Sequence, residues 1–149
     1  KSADLLRPLI RTDDPEVDFF ENVAHLQIHR RSRALRRAAK TLHTIEDGAQ
    51  AQSLAHVFLY PLASRFLFMD NIEDYSAACL DLCHHSARKL SWTQYRKVFS
   101  NVLRECTSIS KTVESDPKER KLAAQKQALY DRLLIAVANA FSCDIVQMD

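Results

Sequence analysis

Apolar positions recur along this chain at three- and four-residue intervals, the period of a helix with one buried face. Trp92, Tyr95, Phe99, Val102, Cys106 and Ile109 fall on one stripe, and Leu122, Leu129, Leu133, Ala136, Val137 and Ala140 on another. The pattern predicts about six helices, roughly 15–27, 29–46, 51–69, 72–90, 92–111 and 117–143. Start signals punctuate them. Asp14 reads as an N-cap with Pro15 at the first helical position. Asn71 offers a cap with Asp74 behind it, Ser91 and Gln94 form a capping box, and Asp116-Pro117 repeats the first signal with Glu119 following. Asp47-Gly48 reads as a helix end, with Gly48 left-handed, and Pro61 should break or kink the apolar helix around it.

Short connections make sequential helices antiparallel. The expected fold class is all-α: helical hairpins, roughly 15–46, 51–90 and 92–143, stacked as a HEAT/armadillo-like solenoid spanning 1–149 without separate domains. A closed six-helix bundle is the alternative. The apolar ends "RPLI" and "FSCDIV" favour the solenoid, because an internal piece of an array leaves apolar surface for neighbouring repeats. Starting at Lys1 rather than Met, the chain reads as a piece of a longer protein. A single glycine, Gly48, argues against phosphate-cradling loops, tight hairpins and a doubly wound sheet. With 46% hydrophobic and 27% charged residues the composition is globular, and no apolar run approaches the roughly 20 residues a membrane span needs.

Charge changes this picture locally. Between Asn22 and Ile45 there is no Asp or Glu, but there are six Lys/Arg. Subtracting those six leaves 15 Lys/Arg against the chain's 19 Asp/Glu, so the rest of the molecule is acidic although the formal net charge is +2. At about 100° per residue, Arg30, Arg33, Arg36, Arg37 and Lys40 share an arc of about 120°. Ile28, Ala34, Leu35, Ala38, Ala39, Leu42 and Ile45 take the opposite side. Like charges in one arc repel, and a polyanion reverses that sign, so RNA phosphates are the expected partner of these five residues. A merely solvated face is the alternative, weakened by the lack of any interspersed acid. Arg31 projects instead from the apolar side, where a cation needs a counter-ion. In a solenoid the second helices of successive hairpins run parallel. Arg31 should then pair with Asp70, Glu73 or Asp74.

The stretch "DFFENVAHLQIHRRSRALRRAAK" resembles the start of the signature domain of the down-regulated-in-metastasis family, very large nucleolar HEAT-repeat components of the small-subunit processome. The likeness rests on residues 18–42: the Phe19-Phe20 pair, His25, Gln27 and the "HRRSRALRR" block. It implies a non-catalytic scaffold in pre-18S rRNA processing and 40S subunit assembly. It also implies nucleolar residence within a ribonucleoprotein, with pre-ribosomal RNA and other assembly proteins as partners. Family members are many times longer than this chain. A generic α-solenoid module that binds an acidic protein is the alternative function.

Catalytic and metal chemistry find little support in the residues. Cys79 and Cys83, followed by His84 and His85, share the inward stripe of Tyr75, Leu82 and Leu90, so they read as small core residues rather than metal ligands. Cys106 and Cys143 also lie in apolar periodic segments and should be reduced. His25 and His29 flank a helix junction, where each could cap backbone carbonyls. No Walker loop, HExxH or GxSxG occurs. No enzyme activity, cofactor, metal, membrane or small-molecule substrate is therefore expected.

Overall fold

The computed structural model describes residues 2–111 and 116–145, which are helical with connecting turns and contain no strand. Its first elements carry too few residues to show a period in the sequence. They are α1 (Ser2–Leu6) and a 3₁₀ turn at Arg7–Leu9, which lay Leu5, Leu6 and Leu9 on the core.

The first predicted helix shrinks to α2 (Phe19–Val23), and its cap is Asp18, not Asp14. Asp18 wins because more donors converge on it. Its carboxylate accepts from the backbone N–H groups of Arg11 at 2.7 Å, Phe20 at 2.8 Å and Glu21 at 3.1 Å. Burial opposes ionisation of this carboxyl, yet those three donors outweigh it and hold the pKa below the usual carboxylate value. Asp14 instead closes a turn, accepting from the N–H of Glu16. Buried Asn22 clamps the unit by donating to the carbonyls of Pro15 and Asp18.

α3 (Ile28–Thr44) buries Ala34, Leu35, Ala38, Ala39 and Leu42 along the expected stripe. α4 (Gly48–Leu54) then begins where a helix end was expected. Asp47 is its N-cap, accepting from the N–H groups of Ala49 and Gln50, and Gly48 does not adopt positive φ. Asp47 takes up two of the helix's unpaired donors, so the left-handed option of Gly48 goes unused. Pro61 does not break the next helix. A π-helical turn at Ala55–Leu59 precedes α5 (Tyr60–Phe66), and the N–H of Tyr60 reaches the carbonyl of Ala55. Widening the turn accommodates a proline that cannot donate and that crowds the carbonyl four residues back.

α6 (Glu73–Ala87) starts after Ile72 with no side-chain cap, so Asn71 does not serve as one. Glu73 and Asp74 stand in its first turn, where the helix dipole favours negative charge. α7 (Trp92–Lys111) has the capping box in full. The N–H of Gln94 donates to Ser91 Oγ at 3.3 Å, and the N–H of Ser91 donates to Gln94 Oε1 at 3.0 Å. α8 (Pro117–Ile145) starts at Asp116, which accepts from the N–H of Lys118. Two expected core residues are largely exposed, Trp92 at 58% and Leu122 at 66%, each in the first two turns of its helix.

The second helix of each unit lies beside the next: α3 packs on α6, and α6 on α8. α2 covers α3, the α4–π–α5 segment covers α6, and α7 covers α8. One continuous core runs from Leu9 to Ala140. The architecture is all-α and consistent with a helical solenoid.

Candidate nucleic-acid interface

The basic surface belongs to α3, whose buried stripe fixes the direction in which its cations project. Arg33 and Lys40 are exposed and make no hydrogen bond or ion pair among the described residues. Arg30 is held by a neutral group: its Nε donates to Asn22 Oδ1 at 2.9 Å. Arg37 donates from Nη1 to the carbonyl of Glu16 at 2.6 Å. Both guanidiniums are thus positioned without being neutralised. Arg36 differs, because its Nη2 meets Asp74 Oδ1 at 2.6 Å. That hydrogen bond lowers the Asp74 pKa and raises that of Arg36. Of the five residues in the predicted arc, four meet no carboxylate among the described residues.

Arg31 sits apart from the arc. Its Nη1 lies 3.0 Å from Asp70 Oδ2, and its guanidinium stands 5.5 Å from the centroid of the Tyr75 ring. The side chain is 25% exposed, so it opens to solvent at one edge although its Nε is buried without a hydrogen-bond partner. Glu73 takes a third arginine. Its two carboxylate oxygens accept from Arg132 of α8 at 2.8 and 3.2 Å. Asp70, Glu73 and Asp74 therefore each hold an arginine of a neighbouring helix.

His25 plays a different part from the expected carbonyl cap, since its Nδ1 accepts from the N–H of Gln27. A contact that periodicity does not reveal joins α3 to α6 at their far ends. His43 Nε2 and His85 Nδ1 are 2.8 Å apart, and His85 Nε2 is 3.3 Å from Asp81 Oδ1. Asp81 fixes the tautomer: His85 carries its proton on Nε2, so His43 donates to Nδ1. Burial is the largest influence lowering the pKa of both rings.

Cys79, Cys83 and Cys106 are buried thiols, none of them in a disulfide. Burial pushes the Cys79 thiol up to about 12 and Cys83 well above its ordinary value, so both are neutral packing groups. The side chain of Cys143 lies outside the described residues. Among the described residues no three His, Cys, Asp or Glu side chains gather as a metal site, and no helix is long and apolar enough to cross a membrane.

Fold and surface define a class first: an all-α helical array that carries an acid-free cationic stripe on one helix. The chain is homologous to U3 small nucleolar RNA-associated protein 20. It is 33% identical over 122 residues, 78% of its length, to the protein of that name in Saccharomyces cerevisiae. It is 26% identical over 95 residues, 62% of its length, to the one in Schizosaccharomyces pombe. The chain spans about 4% of the length of each. These homologues agree with the processome component to which residues 18–42 point. No family profile matches the chain, and no solved structure matches it.

Proposed function

We propose that the chain is a non-catalytic scaffold segment of the small-subunit processome. In this reading it acts in the nucleolus in pre-18S rRNA processing and 40S assembly, bridging pre-ribosomal RNA and assembly proteins. Three helical hairpins of HEAT type form the frame. Arg30, Arg33, Arg37 and Lys40 contact RNA phosphates, and Arg36 stays with Asp74. The relatives' name supports the RNA setting.

The observation that carries the reading is that two of the four cations, Arg30 and Arg37, are fixed by neutral acceptors. Such groups keep full charge and lose less conformational freedom when an anion arrives. No aromatic side chain stands among them, so the contact gives affinity and position rather than base choice. Reversal of Arg33 and Lys40 to Glu together should weaken binding to a structured pre-rRNA fragment by about tenfold or more while leaving the helical circular dichroism intact. Equal RNA affinity of the reversed and parent chains would refute the assignment.

A further inference from the structure

A cleft of about 260 Å³ opens beside the same helix, between α3, the 3₁₀ turn and the loop that leads to α2. Its apolar lining includes Pro8, Leu9, Phe19, Ala34 and Ala38, of which all but Pro8 are almost fully buried in the core. Arg11, Arg37 and Lys40 also line it, and no acidic residue does. Asp18, the loop carboxylate next to Phe19, is occupied by three backbone donors. The size falls below the roughly 300–1,000 Å³ of small-molecule sites and suits one large side chain.

A nucleobase fits this chemistry poorly. Phe19 is the only aromatic lining residue, it is 3% exposed, and its ring is already engaged by Phe20 and Phe58. The hydroxyls of Thr41 and Thr44 donate within α3, to the carbonyls of Arg37 and Thr41, so neither offers its proton to a base edge. What remains is an apolar floor under a rim of three cations. We infer that the cleft docks an acidic segment of a protein partner, with one leucine-sized apolar side chain inserted between Arg11, Arg37 and Lys40 and carboxylates on either side. This goes beyond phosphate binding by α3: peptide and RNA compete for the shared Arg37 and Lys40, while Arg11 belongs to the cleft alone and Arg33 to the stripe alone.

The test uses the 149-residue chain and fluorescein-labelled Glu-rich peptides that differ only in a central Leu or Ser. Anisotropy at physiological salt should show the Leu peptide binding about tenfold more tightly than the Ser peptide. Arg11→Glu should weaken the Leu peptide about fivefold or more, and Arg33→Glu by less than about twofold. Equal affinity for the Leu and Ser peptides would overturn the docking claim, as would equal losses from Arg11→Glu and Arg33→Glu. So would an RNA affinity that falls with Arg11→Glu as far as the peptide affinity does, because the cleft would then be part of the RNA surface. Failure of RNA binding with the peptide pattern intact would count only against the phosphate reading.

Discussion

Two carboxylates at the start of α6 hold arginines of α3, yet they are worth different amounts. Arg36 and Asp74 are 41% and 58% exposed, so solvent screens the pair and its loss should cost less than about 1 kcal/mol. Arg31 has an unpartnered Nε and is three-quarters covered, so removal of Asp70 strands a cation beside Tyr75. Asp70→Ala should therefore destabilise by about 1–3 kcal/mol in urea unfolding, clearly more than Asp74→Ala. Equal costs would mean that the Arg31 contact contributes no more than a surface pair. Gly48 gives a second contrast. It sits at the first position of α4 without positive φ, and a Cβ there would meet nothing within 4 Å. Gly48→Ala should stabilise by about 0.5–1 kcal/mol, whereas a left-handed helix-ending glycine would make the same change destabilising. The cationic arc itself is legible from residue spacing. Which cations meet a carboxylate and which a neutral acceptor is not, because Asp74 lies 38 residues from Arg36 and the carbonyl of Glu16 lies 21 from Arg37.

Helices longer than about three turns show themselves in the period of their apolar positions, and α3, α6, α7 and α8 lie close to their expected spans. Short elements do not. α1 and the 3₁₀ turn have no room for a period, and α2 starts four residues late because Asp18 collects a donor from Arg11, a loop residue that no local rule anticipates. The π turn before Pro61 is one of several ways to absorb a proline, and choosing among them takes the packing of α6 against that segment. Contacts between elements are likewise invisible to periodicity, as His43 and His85 illustrate. Both rings have depressed pKa values in the folded chain, chiefly through burial; Arg88 disfavours protonation of both and Lys89 that of His43, against the opposing charge of Asp81. His84 on the same turn also opposes their charging. The unfolded chain thus binds protons that the folded chain refuses. Their contribution to stability is full above the ordinary histidine value of 6.5 and is lost as pH falls through the depressed values. The melting temperature should drop between pH 7.5 and 5.5, and His43→Gln should flatten that drop. Parallel pH profiles for the two proteins would exclude the pair as its source.

Across the whole molecule, charge is sorted. The acids at the start of α6 bind arginines from α3 and α8 and so tie three neighbouring helices together, while the outer side of α3 has no acid of its own. Stacked second helices produce this arrangement, because they bring the start of α6 against the arginines of α3 and α8. The order of packing follows from helix count and short connections, which the sequence displays. The exposed Trp92, stacked on Tyr95 and tilted against Phe141 of α8, does not follow, since the stripe says which side a residue faces but not how much of its ring a neighbour covers. The central claim is that the outer cations of α3 bind RNA phosphates and that Arg36 does not. It is tested most directly by the salt dependence of RNA affinity. Four phosphate contacts predict a slope of log K against log salt of about −3, which Arg33→Gln should reduce in magnitude by about 0.7 and Arg36→Gln should leave unchanged. A slope near zero, or the same slope for Arg33→Gln as for the parent chain, would contradict it.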